Sequence, residues 1–288
     1  VIGKTPITGE PVILAPEREA RPNVYDGAPC PFCPGAEDQT PPEIARDGDP
    51  WRIRVFPNRY PPTEHAEVVV ESASHDDAFD QIAPDHARRA VAMTFDRYHA
   101  LAASGAYVCI FKNHGRLAGA SIPHLHSQLV ATPFVPLRPA REAEAFARAT
   151  DCPLCDVSEH PLIAETEHYR WIAPHGARFA YQQWIVPRGH AHDLEEPREL
   201  ASLMQASVRA MRSIADAFNW AFVTFPHERR GHWYLELFPR VAMIAGFEIG
   251  GGVFVNGVPA EDAAREFNAA SRRSRRASAI AGVVRRGE

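Results

Sequence analysis

The sequence predicts an α+β protein: a mostly antiparallel sheet flanked by helices and built from two copies of one unit. Three observations predict it. Two C-x-x-C pairs, Cys30/Cys33 and Cys152/Cys155, stand about 120 residues apart. Each pair is followed by short β-branched and aromatic runs and then by one amphipathic stretch of helical period. Each half then closes on a histidine-bearing run, Pro123-His124-Leu125-His126-Ser127-Gln128 and His232-Trp233-Tyr234-Leu235-Glu236, about 110 residues apart. Matching offsets are what duplication leaves, and the period is too long for a solenoid. The halves are read as residues 1–140 and 141–270, with a basic tail at 271–288.

The elements follow in order. Cys30-Pro31-Phe32-Cys33-Pro34-Gly35 is turn-rich, and Pro34 does not suit the helix start that a redox pair occupies. The pair therefore reads as thiolate metal ligands, and the odd total of five cysteines speaks against a disulfide framework. A strand with a Pro-Asn turn spans residues 55–59, and Val68-Val69-Val70 forms a strand leading to His75. A helix is expected over residues 85–103. The apolar run at 107–111 reads as a buried strand in which Cys109 is a small core residue.

Asn113, Gly115, Gly119 and Ser121 make a small-residue approach that lets backbone N–H groups come close to an anion such as phosphate. The next residues carry the densest chemistry. Alternate residues of a strand share a face, so His124, His126 and Gln128 present two imidazoles and a carboxamide together. The Pro- and Ala-rich residues 132–150 read as a linker. In the second half, strands are expected at 169–173, 183–187 and 221–225, with His190 and His192 after the second. Leu200, Leu203, Met204, Val208, Met211 and Ile214 fall at helical spacing within 198–218. Arg272, Arg273, Arg275 and Arg276 read as a solvated basic end.

Composition bounds the function. The 288 residues are 45% hydrophobic and 23% charged, an ordinary globular balance. A net charge of -5 argues against a nucleic-acid binder without excluding nucleotides. No apolar run approaches the ~20 residues that span a bilayer, and residues 1–4 carry no signal-like apolar core, so a cytoplasmic setting is the expectation.

Taken together, the C-x-x-C, the histidine after Val68-Val69-Val70-Glu71 and the Asn113-to-Gln128 run resemble the galactose-1-phosphate uridylyltransferases, the transferase branch of the histidine-triad superfamily. The likeness extends over nearly the whole chain. It includes Pro6-Ile7-Thr8-Gly9, residues 16–22, Thr40-Pro41-Pro42-Glu43, Phe56-Pro57-Asn58-Arg59, Phe238-Pro239-Arg240 and Ala245-Gly246-Phe247-Glu248.

The resemblance implies two histidine-triad-like units and a covalent nucleotidyl-histidine. His126 is then the nucleophile, and Gln128 a neutral donor to the phosphoryl oxygens that favours transfer over hydrolysis. It implies zinc held by Cys30, Cys33, His75 and His124, a closed tetrahedral set without a position for water. A surface position is the plainer alternative for His75. Arg18, Arg21, Asn58, Asn113, Ser121 and Glu248 fall where similar enzymes contact nucleotide or sugar. For Arg18 and Arg21 the alternative is an ion pair with Glu17 or Glu19.

For the second cysteine pair three readings stand. It binds its own zinc with His190 or His192 and His232, or all four cysteines share one ion, or the ligands are vestigial. Tyr234 and Glu236 at the counterparts of His126 and Gln128 mark the second half as noncatalytic. The resemblance finds no clear counterpart there of the iron-binding H-x-H pair seen in some second halves, and iron is not expected.

The implied activity is transfer of a nucleoside monophosphate from UDP-glucose to a hexose 1-phosphate, by a homodimer without nucleic-acid or membrane partners. Leu125, where many relatives have proline, leaves open a phosphorylase that discharges onto inorganic phosphate. A zinc-stabilised nucleotide binder without catalysis is the alternative from another class.

Overall fold

A computed structural model describes residues 1–21, 23–197, 199–226 and 231–271. The four arginines of the expected basic end lie outside the described residues. A two-stranded ribbon, β1 (Ile2–Lys4) and β2 (Pro11–Ile13), precedes the main sheet. The first half then contributes β3 (Ala45–Asp47), β4 (Ile53–Pro57), β5 (His65–Val70), α1 (Pro84–Ala102), β6 (Tyr107–His114) and β7 (His126–Thr132). Helix α2 (Leu137–Arg148) links to β8 (Leu162–Glu165), β9 (Tyr169–Ile172), β10 (Gln183–Pro187), α3 (Leu200–Arg212), β11 (Phe218–Val223) and β12 (Tyr234–Pro239). A short α4 (Gly246–Gly251) and helical residues 260–271 follow.

The ten strands β3–β12 form one antiparallel sheet in the order β3-β4-β5-β7-β6-β11-β12-β10-β9-β8. Read outward from the β6–β11 pair, the first half runs β6-β7-β5-β4-β3 and the second β11-β12-β10-β9-β8. The two orders are the same order, and the fold is the α+β arrangement of helices on an antiparallel sheet that the sequence predicts. No helix among the described residues is long and apolar enough to cross a membrane.

One face of the sheet is closed by α1 and α3. Pro84 opens α1, where a missing N–H costs nothing, and Ala87, Ala90, Val91, Phe95 and Tyr98 form its buried stripe. In α3 the corresponding stripe is Leu200, Leu203, Met204, Val208 and Met211. These pack with Ile110, Leu125, Leu129, Phe222, Leu235 and Leu237 of the sheet in one core. Period-2 alternation sends the intervening residues to the opposite face. Two smaller clusters cover that face. Phe32, Trp51, Phe56, Val68, Val70 and Ile122 pack in the first half, and Leu154, Val157, Val186, Phe225 and Tyr234 in the second.

Residues 132–150 are not a structureless linker. Pro139 falls in the first turn of α2, where proline is tolerated. The helix docks through Arg138, whose guanidinium reaches both Glu236 oxygens at 2.5 and 2.9 Å and the Tyr234 hydroxyl at 2.7 Å. Arg178 and Gln182 also donate to Glu236. Arg138→Ala is therefore expected to lower stability in urea by about 1–3 kcal/mol, because a charge-assisted contact to a buried carboxylate is lost. Arg148→Ala on the exposed side of α2 is expected to stay within about 0.5 kcal/mol.

Candidate functional site

The site is built where β7 begins. His126, not His124, is the first residue of that strand, opposite Val70 of β5. His126 and Gln128 therefore share the face opposite the helices, while Ser127 and Leu129 point away from it. His124 lies in the bend before the strand and is free of the pleat, so its ring turns toward the cysteine loop. Leu125 is 1% exposed and belongs to the helix-side core, so its side chain does not face the site.

His126 and Gln128 line a cavity of about 330 Å³ together with Arg21, Phe32, Asn58 and Ser121. The Nδ1 of His126 lies 2.7 Å from the carbonyl of His124, so that nitrogen carries the proton and donates. Nε2 keeps the lone pair. Burial first, then the charge of Lys112, pushes the imidazole down to about 3, which leaves it neutral at physiological pH. The Phe32 ring packs edge-on against it at 5.3 Å.

The approach to the strand is shaped by two glycines. Gly115 has φ +83°, and a Cβ there would stand 2.9 Å from that of Ala217 on the neighbouring segment. Gly119, also at φ +83°, turns the chain into the cavity wall. The N–H groups of Gly119 and Ala120 are spent within the turn, on the carbonyls of Arg116 and Gly115. Those two donors do not face an anion as the sequence suggested.

Not every expected contact is on this cavity. Arg21, Asn58 and Ser121 are on its wall, whereas Arg18 donates to the Tyr60 carbonyl at 2.7 Å. Asn113 faces an adjoining cleft between the halves, where it accepts from Asn219 at 2.8 Å. Glu248 sits on α4, accepts from the Ala245 N–H and borders a separate cleft beside Arg178. Sequence reasoning missed the aromatic wall of Phe32, Phe56 and Tyr60. Its signal was present inside the cysteine and Pro-Asn motifs, which were read for their polar members only.

Two Cys–His groups stand apart from the cavity. In the first, the donor atoms of Cys30, Cys33, His75 and His124 lie within 4.8 Å of one another, with Sγ–Nδ1 separations of 3.3–3.7 Å. A tetrahedral ion bound at ordinary zinc–sulfur and zinc–nitrogen lengths would set that separation at about 3.6 Å. His124 Nε2 donates to the Ser72 carbonyl at 2.7 Å, which fixes the tautomer with Nδ1 free to ligate.

Cys152, Cys155, His190 and His232 make the second group, with separations of 3.4–3.7 Å. The cysteine pairs thus gather with different histidines, and the reading in which four thiolates share one ion does not match this geometry. Burial pushes the thiols of Cys30 and Cys155 up to about 11. A bound cation would displace those protons.

Across the sheet, Gln128, Phe111, Ala221 and Glu236 stand in one register row. Glu236 is thus the second half's counterpart of Gln128, and Tyr234 that of His126. Both are bound by α2 through Arg138, and Tyr234 donates to Glu142 at 3.0 Å.

Comparisons with known proteins point the same way. A family model described as a domain of unknown function, DUF4921, matches residues 64–288. An ADP-glucose phosphorylase of Arabidopsis thaliana is 29% identical over 91% of this chain and 90% of its own. A galactose-1-phosphate uridylyltransferase of Thermotoga maritima is 27% identical over 91% of this chain and 96% of its own. The crystal structure of an Arabidopsis ADP-glucose phosphorylase with bound ADP-glucose superposes with a TM-score of 0.78 at 30% identity, covering 93% and 98% of the two chains. A uridylyltransferase structure gives 0.81 at 25% identity over 95% and 98%.

Metal analysis of the purified protein is expected to find two divalent ions per chain. Cys33→Ser and Cys155→Ser should each lower the count to one. Loss of all metal from either single variant would restore the shared-site reading.

Proposed function

The chain belongs to the DUF4921 family, and from that premise we propose that it moves a nucleoside monophosphate from a nucleotide sugar to a phosphate oxygen through a covalent nucleotidyl-His126. The observation that carries this reading is His126 itself: a neutral imidazole of fixed tautomer at the cavity wall with Gln128 on the same face. In the first step Nε2 bonds to the α-phosphorus, and the bond from that phosphorus to the sugar 1-phosphate oxygen breaks. The leaving group departs as an anion and needs no acid. The ring gains positive charge, which strengthens the Nδ1–H bond to the His124 carbonyl.

Gln128 donates to the phosphoryl oxygens, and Arg21, Asn58 and Ser121 orient the nucleotide, a task to which the guanidinium fork is suited. In the second step an acceptor phosphate oxygen bonds to phosphorus, the N–P bond breaks and the neutral imidazole returns.

For the acceptor, likeness to ADP-glucose phosphorylase in both sequence and structure favours inorganic phosphate with ADP-glucose. The Thermotoga relative favours the other reading, UDP-glucose with a hexose 1-phosphate. Leu125 has no part in this choice, since its side chain lies in the core. Zinc is the proposed occupant of both Cys–His groups, because two thiolates and two imidazoles suit it. Its role is structural: the first ion ties the cysteine loop to the residue two before His126. The proposed assembly is a homodimer. Met243, Phe247, Ile249 and Val255 leave 82%, 64%, 75% and 68% of their surface exposed around α4, and a second copy would cover them.

Incubation with ADP-glucose or UDP-glucose and acid-free quenching is expected to give a nucleotidyl adduct by intact mass. The adduct should be absent in His126→Ala, and Gln128→Ala should form it roughly 100-fold more slowly. Phosphate or hexose 1-phosphate should then discharge it, and the better acceptor identifies the activity. An adduct that persists in His126→Ala, or none with any nucleotide sugar, defeats the proposal. Light scattering is expected to give twice the chain mass, falling to one chain in Phe247→Asp.

A further inference from the structure

On the helix side of the sheet, directly behind His126, lies a charged pair that has entered so far only through the charge of Lys112 on the imidazole. We propose that Lys112 and Glu71 form a positioning pair that locks the peptide carrying His126, an assignment that rests on the reading of His126 as nucleophile. Lys112 of β6 is 1% exposed, and its ammonium lies 5.9 and 5.7 Å from the ring centres of Phe79 and Trp220. Its Nζ donates to Glu71 Oε2 at 2.6 Å and to the backbone carbonyl of His126 at 2.7 Å.

Glu71 completes the clamp. Its other carboxylate oxygen accepts from Ser127 Oγ, and its N–H donates to the Leu125 carbonyl at 3.0 Å. Its own carbonyl accepts from His86 Nε2 of α1 at 2.7 Å. Residues 125, 126 and 127 are thus each held by a different group of one pair. From the cavity side the His126 ring holds the His124 carbonyl. The peptide on which the imidazole turns is pinned on both sides.

Stability alone does not account for such a pair. A buried ion pair is commonly no better than apolar side chains of similar volume, because both ions lose water. What an apolar pair cannot supply is a donor to the His126 carbonyl. Without that donor the peptide is free to tilt, and the imidazole at its end swings with it. Displacement of a reacting group by about 1 Å is enough to cost roughly 100-fold in rate.

The test compares wild type with Lys112→Met and with the double variant Lys112→Met/Glu71→Met, which leaves no unpaired charge behind. Thermal unfolding and metal content report folding. The expected result is a double variant that folds with its full metal content, KM within about threefold of wild type and kcat lower by roughly 10- to 100-fold.

An independent readout is the 15N ring spectrum of His126, assigned by comparison with His126→Ala. Wild type should show one Nδ1–H tautomer, and both variants an exchange-averaged pair. Wild-type kcat in a folded double variant, or an unchanged single tautomer, overturns the proposal. If wild type transfers no nucleotide, the nucleophile reading falls. The ring spectrum then still decides whether the pair holds the histidine.

Discussion

The pairing of β6 with β11 is the contact on which the rest of the molecule depends. Five residue pairs, from Phe218–His114 to Phe222–Ile110, join two five-stranded halves into one sheet. Each half alone would expose β6 or β11 as an unpaired edge strand beside the strand that carries its histidine run, which is an aggregation hazard. Joined, they give a continuous face on which Gln128, Phe111, Ala221 and Glu236 stand in a row. The same pairing aligns α1 with α3 on the other face, where they share one core.

Duplication has left that face with two equivalent positions in opposite states. In the first half the position holds a neutral imidazole and a carboxamide beside a cavity. In the second it holds a phenol and a carboxylate, covered by α2 through Arg138 and flanked by Arg178 and Gln182. A carboxylate in the place of Gln128 would repel a phosphoryl group, whereas here it anchors α2 through the Arg138 guanidinium and also accepts from Arg178. The charge that would oppose a phosphoryl group in the second half is the charge that holds α2 over it. Both halves nevertheless keep a Cys–His group.

Much of this was legible in the chain. The strand–helix–strand order and the two stripes at helical spacing follow from periodicity and residue type, and the pairing of cysteines with histidines across long separations is what the family resemblance implies. Three things were not legible. Residues 132–150 looked like a linker because proline and alanine were read as composition; the Arg138–Glu142 spacing of four is the helical signal inside it. His124 was placed on the same strand face as His126 because alternation was extended one turn too far, past the point where pairing begins. Lys112 and Glu71 were invisible as a pair, since nothing local in a sequence states that residues 41 apart meet behind a third.

The placement of His124 explains how two histidines one residue apart can take the opposite roles proposed for them. A metal ligand should have no freedom and no access to substrate, while a nucleophile needs a lone pair facing an open cavity. On one strand face the two rings would compete for the same space. Because the strand starts only at His126, the backbone turns before it, so that His124 aims its Nδ1 at the cysteines and His126 lines the cavity with its Nδ1 committed elsewhere. The two are coupled through a single atom, the His124 carbonyl, which accepts the Nδ1 proton of His126. Any cation bound by the first group therefore fixes, through His124, the acceptor that sets the tautomer of His126. The first Cys–His group and the cavity are separate in space but share that one hydrogen bond, so an ion held by the group would bear on the orientation of His126 without touching it.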